Sequence, residues 1–300
     1  MSFSLIAVIG PTASGKSALA IELAQELGYA EIISADAMQL YRGMDIGTAK
    51  LTKADQHGIP HHLLDVIDPT GEVSAVQYRE LFDEAVADIT SKGNTPIVAG
   101  GSTLYLAAAL DEMQFAPTDP DVRAQLEAKA AKLGQLEMHA LLAKKDSAAA
   151  AKIPASNLRR VIRALEVIEI SGQSFAASLP EPQYRRPTLQ LGISVDRDLL
   201  RERIEDRVRS MWEAGLVAEV QGLLEKYPTL SRTARVAIGY QQAAAQLSGE
   251  LSEEQAIAET VQLTQRYAKK QMTWFRRDKR ITWLSSSEDL LGRAMDVIRL

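Results

Sequence analysis

The chain has 300 residues, 46% of them hydrophobic, and a formal net charge of −5 from 34 Lys and Arg against 39 Asp and Glu; this is enough apolar material for one large domain or a core with a smaller partner. It contains no cysteine, which excludes disulfides, thiolate catalysis and Cys-ligated zinc and fits a reducing compartment. No apolar run approaches the roughly 20 residues of a membrane span and no secretory pattern is visible, so a cytoplasmic protein without a membrane partner is expected. Any nucleic-acid contact must then be concentrated in a few basic segments.

Residues 4–9 read as a buried strand. Gly10-Pro11-Thr12-Ala13-Ser14-Gly15-Lys16-Ser17 follows at once, and residues 18–27 continue as an amphipathic helix. This is GxxxxGK[ST] in the strand–loop–helix setting of a phosphate-binding loop. The glycines let successive N–H groups converge, Lys16 adds a mobile positive charge, the Ser17 hydroxyl can ligate Mg²⁺, and the helix N-terminus favours the same anion. Residues 30–34, 96–99, 188–195 and 281–284 read as further strands with helices between most of them, which predicts an α/β fold with a parallel sheet flanked by helices. Between 112 and 187 the strands vanish, which predicts an inserted all-helical domain. Its first helix opens at Thr118-Asp119-Pro120-Asp121, which resembles a capping box; its third starts after Pro154, with Ser156 as N-cap, and ends near Gly172. Pro180, Pro182 and Pro187 mark the return linker. The division expected is a catalytic core over 1–111 and 188–300 and a helical insert over 112–187. Residues 197–227, 252–277 and 289–300 are expected to be helical.

Nucleotide hydrolysis or phosphoryl transfer, with ATP in the loop, is the general expectation for such a motif. The second motif argues against it. An NTPase normally ends a buried strand with an acid that organises Mg²⁺ and water, whereas the strand at 95–99 ends in Gly100-Gly101-Ser102-Thr103. The acid stands after the preceding strand, as Asp36 in Ile33-Ser34-Ala35-Asp36-Ala37-Met38-Gln39-Leu40-Tyr41. Strand C-termini of an open parallel sheet share one crevice, so Asp36, Ser102 and the loop should converge there in a geometry suited to group transfer from a diphosphate. Read alone, Asp36 also suits a magnesium ligand or a helix cap. Adjacent His61 and His62 do not suit one metal ion and read as structural or supporting residues; His139 shows no partner.

GPTASGKS at 10–17, SADAMQLYRGMDIGTAK at 34–50, GIPHHLLD at 58–65, VAGGSTLY at 98–105, IGYQ at 238–241 and YAKKQMTWFR at 267–276 together resemble the tRNA dimethylallyltransferases, in order and over nearly the whole chain. The resemblance implies transfer of a dimethylallyl group from its diphosphate to the exocyclic N6 of the adenine just 3′ of the anticodon, with dimethylallyl diphosphate rather than ATP in the loop formed by Gly10, Pro11, Thr12, Ala13, Ser14, Gly15, Lys16 and Ser17. Asp36 would be the general base for a weakly nucleophilic amine. Loop amides, Lys16, Ser102, Ser17 through Mg²⁺, and Arg235 would meet the charge of the departing diphosphate. The tRNA side would comprise Asp36, Ala37, Met38, Gln39, Ser102, Arg123, Asn157, Leu158, Arg159, Arg160, Val161 and Gln241, with the anticodon stem-loop as partner and the enzyme a monomer. The family more often has Thr at Ser102, Ser at Ala37, and Gly or an apolar residue at Thr103. With no cysteine, the zinc-finger extension of some relatives is not expected.

Read from the residues themselves, Arg159, Arg160 and Arg163 share one helix face that suits phosphate or base-edge contacts. Lys269, Lys270, Arg276, Arg277, Lys279 and Arg280 form a second basic cluster, whose neighbours Trp274 and Phe275 read as core. The competing functions are a free-adenylate isopentenyltransferase, a nucleoside or small-molecule kinase, and a non-catalytic RNA-binding module.

Overall fold

A computed structural model describes residues 3–113, 115–175 and 182–299. β1 (Leu5–Ile9), β2 (Ala30–Ala35), β3 (His61–His62), β4 (Thr95–Gly100), β5 (Thr188–Ser194) and β6 (Ile281–Ser285) form one sheet in the order β3-β2-β4-β1-β5-β6, and every pairing in it is parallel. This is the parallel α/β architecture expected from the strand–helix alternation. All of β1 and β2 is buried, as a sheet covered on both faces requires. Alternate side chains divide the core: Leu5, Ala7 and Ile9 join Tyr78, Phe82 and Phe275 on one face, and Ile6 and Val8 join Leu19 and Leu23 on the other. Burial of each Leu, Ile, Val or Phe side chain among them is worth about 1.5–3 kcal/mol. The sequence pattern did not indicate β3, because two residues after Pro60 carry no periodicity; their pairing with Ile32 and Ile33 of β2 makes the strand.

The chain divides into two compact units, Met1–Glu112 with Tyr184–Leu300, and Met113–Gln183. The return to the first unit therefore precedes Pro187. Tyr184 bridges Asp111, Arg185 donates its N–H to Leu110, and Arg185 and Arg186 both pair with Asp83. In the first unit, α1 (Lys16–Leu27) runs between Gly15 and Gly28, both left-handed. α2 (Ala75–Ser91) opens on a Ser74–Gln77 capping box, and α3 (Thr103–Leu110) starts directly after Ser102.

The second unit consists of α4 (Pro120–Lys145), α5 (Ser147–Lys152) and α6 (Leu158–Ser171) around Leu126, Met138, Leu142, Val161 and Leu165. Gly134, at φ 78° and ψ 173°, interrupts α4. The Thr118 capping box does not form: Asp119 caps α4 through Asp121 and Val122 N–H, while the Thr118 hydroxyl donates to Glu166 at 2.6 Å. Likewise Asn157, not Ser156, caps α6, because Asn157 stands directly before the first helical residue and its side chain accepts Arg160 N–H. The helix ends at left-handed Gly172, as expected. Pro180 lies outside the described residues.

After β5, the expected helix over 197–227 is two helices, α7 (Arg197–Glu213) and α8 (Leu216–Lys226), because Gly215 at φ 97° breaks the run. α9 (Arg232–Arg235), α10 (Tyr240–Leu247), α11 (Glu253–Phe275) and, after β6, α12 (Leu290–Arg299) follow. α7, α8, α10 and α11 pack around Ile204, Trp212, Leu216 and Tyr240 and receive Tyr41 and Met44 from the segment after β2. Among the described residues no helix is long and apolar enough to cross a membrane.

Candidate active site

The sheet order places the corner after β4 between the corners after β1 and β2, so the three motifs at those corners meet. At the β1 corner the chain turns through left-handed Ala13 and Gly15. Gly10 allows close packing: a Cβ there would lie 2.8 Å from Ser14 Oγ. Lys16, half-buried, folds back to donate to Pro11 O at 3.2 Å. Burial and the Arg207 guanidinium lower its pKa to about 8 against the raising influence of Asp36. A lysine held this way is a poorly solvated cation that gains from an incoming anion. Ser17, at the start of α1, is exposed.

At the β2 corner, Asp36 Oδ1 accepts Met38 N–H at 2.9 Å and Asp36 N–H meets Ser34 Oγ at 3.3 Å. The cap role left open for Asp36 is thus real for one oxygen, and among the described residues no hydrogen bond engages Oδ2. The β4 corner locks onto this turn: Ser102 N–H donates to Ala35 O at 3.1 Å, and Ser102 Oγ accepts Ala37 N–H at 2.9 Å. Gln39 serves the same loop, joining Ser34 Oγ to Thr48 O. Lys50, its ammonium buried, ties Tyr41 O to Asp45 and Asp65 at 2.6–2.7 Å. Much of the 34–50 motif therefore builds the platform on which Asp36 stands.

Asp36, Ser102 and Thr12 line one cleft of about 290 Å³ together with Arg207, Tyr267, Met38, Val236 and Ile238. The wall combines a carboxylate, several hydroxyls, a guanidinium and apolar groups, which suits a substrate with a charged end and an apolar or planar body. Arg207 also lines a second depression of about 430 Å³ along Ala13, Ser14 and Gly15. Arg207 and Tyr267 were not assigned from sequence. Arg207 is one of several arginines on α7, and only packing separates it from the exposed ones; burial lowers its pKa against the pull of Asp36. The Tyr267 hydroxyl lies in hydrogen-bonding reach of Ser102 and Gln271, and burial with Asp36 nearby pushes it up to about 12, so it stays protonated.

Other expected residues lie elsewhere. Arg235 is exposed at the end of α9 and is not part of the cleft wall, which takes Thr233, Val236 and Ala237 from that segment; Gln241 is exposed on α10. In the helical unit, Asn157, Arg159 and Arg160 are exposed and Leu158 is half-buried. Val161 is fully buried in that unit's core, so its side chain supports the helix and meets no ligand. Arg163 leaves the expected basic face: it donates to Ala116 O and Pro117 O and pairs with fully buried Glu166 at 3.0 Å, as Arg123 does at 2.8 Å. Burial works against the Glu166 carboxylate, but hydrogen bonds from Thr118, Arg123, Arg163 and Asp119 N–H outweigh it and hold the pKa at about 2. Arg280 similarly leaves the second cluster for Asp111, Asp278 and the Tyr184 ring, whereas Lys269, Lys270, Arg276, Arg277 and Lys279 are exposed. Phe275 is buried and Trp274 packs edge-on against it, as core. His139 does have partners, Ala150 O and Ile153 O.

Among the described residues the one grouping of His, Asp and Glu close enough to share a metal ion is Glu31, His62 and Asp88. It surrounds Lys92, whose ammonium is 2.7 Å from Asp88 and 3.4 Å from Glu31, while His62 is 2.6 Å from Glu31. An ammonium already balances these carboxylates. The group lies at the start of β2, at the opposite end of the sheet from Ser17, and serves to anchor β3 and the end of α2.

The family model described as IPP transferase matches residues 39–278. The tRNA dimethylallyltransferase of Kineococcus radiotolerans is 49% identical, covering 98% of this chain and 96% of its own, and that of Streptomyces griseus is 51% identical over 98% and 95%. Among solved structures, the full-length tRNA isopentenylpyrophosphate transferase of Bacillus halodurans superposes with a TM-score of 0.71 at 36% identity, over 99% of this chain and 94% of that one. A eukaryotic dimethylallyltransferase acting on tRNA reaches a TM-score of 0.81 at 26% identity, over 98% and 79%. With the sheet, the phosphate loop and the Asp36 and Ser102 corners all in place, the chain belongs to the IPP transferase family.

Proposed function

We propose that the protein transfers a dimethylallyl group from dimethylallyl diphosphate to N6 of the adenine 3′-adjacent to the anticodon of a tRNA. The observation that carries this reading is the cleft in which the phosphate loop, Asp36 and Ser102 meet with Arg207. The diphosphate lies along the loop amides, Lys16 and Arg207; the dimethylallyl C1 points toward Asp36, beside the apolar wall of Met38, Val236 and Ile238. The adenine leaves its stack and presents its amine to Asp36 Oδ2, at a cost of a few kcal/mol that contacts in the cleft offset. As the N6–C1 bond forms and the C1–O bond breaks, Asp36 takes the amine proton, and the electron pair of the broken bond leaves on the diphosphate. Lys16, Arg207 and the Ser102 hydroxyl stabilise that charge.

An exposed serine hydroxyl beside diphosphate oxygens is a hard oxygen donor set that suits Mg²⁺, an ion that retains several waters. Ser17 would hold it, and bound there it neutralises leaving-group charge. Exposed Asn157, Arg159 and Arg160 supply tRNA contacts from the helical unit, with Arg123 held in reserve on Glu166; Arg235 and Gln241 act from the core. The enzyme works as a cytoplasmic monomer.

The test is incubation of the protein and Mg²⁺ with dimethylallyl diphosphate and unmodified tRNA, followed by nucleoside mass spectrometry. Prenylated adenosine formed only with tRNA supports the reading. Product on free AMP identifies an adenylate isopentenyltransferase, and phosphate transfer from ATP identifies a kinase; either result rejects it.

A further inference from the structure

Gln271 is 3% exposed, on the face of α11 that turns toward the site. Its Oε1 accepts Thr12 N–H at 3.0 Å, and its Nε2 donates to Gly101 O at 2.8 Å. One carboxamide therefore spans the β1 corner, which carries the phosphate loop, and the β4 corner, which carries Ser102 and through it the Ala37 turn beside Asp36. The packing leaves no slack, since a Cβ on Gly101 would lie 2.4 Å from Gln271 Nε2 and 3.1 Å from Gly10 O. Both of these hydrogen bonds go to backbone groups, and the carboxamide otherwise reaches the Tyr267 hydroxyl; Gln271 is not part of the cleft wall, so it sets where the corners stand without offering an atom to either substrate. A side chain with only a donor or only an acceptor end cannot satisfy both.

We infer that Gln271 is a positioning residue that fixes the distance between the diphosphate cradle and the Asp36–Ser102 turn. Carbon transfer from one bound partner to the other depends steeply on that distance: a misplacement of about 1 Å can lower the rate about 100-fold. The inference rests on the proposed prenyl transfer and deepens it.

Two variants separate its two ends. Gln271→Glu keeps an acceptor for Thr12 N–H but sets a carboxylate against Gly101 O, so the donor KM should stay within about twofold while kcat falls about tenfold or more. Gln271→Met removes both bonds at similar volume, so kcat should fall and the donor KM should also rise about fivefold, as loss of one neutral hydrogen bond implies. Gly101→Ala, which displaces the carboxamide while leaving Gln271 in place, should reproduce the kcat loss and keeps the test available should either Gln271 variant fail to fold. Rates are expressed per active enzyme from a burst titration, and melting temperature is recorded alongside. A variant that melts earlier yet retains wild-type kcat and KM per active site overturns the inference and leaves Gln271 a purely structural residue. Failure of the wild-type protein to prenylate tRNA would instead overturn the proposed function, so the two failures are distinguishable.

Discussion

The state of Lys16 makes the donor step sensitive to pH in a range where an ordinary lysine would be silent. Its pKa is lowered from 10.5 to about 8 by burial and by Arg207. The charged form is the one that receives the diphosphate, so kcat/KM for the donor should hold up to about pH 8 and then fall tenfold per pH unit. At about pH 9 only about a tenth of the free enzyme would carry the charge, whereas a lysine at its usual value would be almost fully charged there. The bound diphosphate favours the ammonium, so kcat at saturating donor should decline later than kcat/KM. The assay is initial-rate prenylation of tRNA across about pH 6.5–9.5 at fixed ionic strength, with donor concentration varied at each pH. Arg207→Met provides an internal control: it removes the second-largest cause of the depression, so the fall should move to higher pH even as overall donor affinity drops. A kcat/KM profile flat to about pH 10, or an Arg207→Met profile unshifted relative to wild type, would refute the assignment of Lys16 as a depressed cation at the diphosphate.

Asp36→Asn preserves an acceptor for Met38 N–H but cannot take the amine proton; turnover should fall at least about 100-fold with tRNA affinity in a binding assay nearly unchanged. Equal losses in rate and binding would remove Asp36 as the base. Arg160→Ala should weaken tRNA binding and lower the slope of log K against log salt by about one, with donor KM unaffected; an unaltered slope would take Arg160 off the RNA surface. Glu166→Gln should destabilise the helical unit by roughly 3 kcal/mol at neutral pH, the value of holding a carboxyl at about 2 instead of 4.5. Because the folded pKa is the lower one, that stability is present above about pH 4.5 and lost as pH falls toward 2, so denaturant midpoints of wild type and variant should converge on acidification.

The sheet and the phosphate loop were legible because their signals are local: five short apolar runs, and eight residues whose glycines, lysine and serine act as one unit. Asp36 and Ser102 were legible one step further, since strand ends in a parallel sheet share an edge. The signal fails where tertiary pairing decides. β3 exists through its neighbour β2. The helix expected over 197–227 breaks at one glycine that a helical pattern tolerates on paper. Among the basic residues, spacing put Arg159, Arg160 and Arg163 on one helix face but could not show that buried Glu166 claims Arg163, and Arg123 with it. Arg207 carried no signal at all: what distinguishes it is burial against the phosphate loop, a property of the helix packing and not of its own segment.

The Gly100-Gly101-Ser102 stretch shows why the middle corner lacks the acid a hydrolase would place there. A Cβ at Gly100 would come within 2.3 Å of Ala35 O, so that position admits no side chain, and one at Gly101 would come within 2.4 Å of Gln271 Nε2, so a side chain there would push the carboxamide aside. Ser102 carries the first side chain of the corner, and its hydroxyl oxygen accepts Ala37 N–H, which leaves its O–H as a donor. A carboxylate in its place would also stand between the phosphate loop and Asp36, where it would repel a departing diphosphate and could hold a water against it. The contact of Gly100 with the backbone of Ala35 thus keeps side chains out of the first position of the middle corner, and the acid of this site stands on the β2 corner as Asp36.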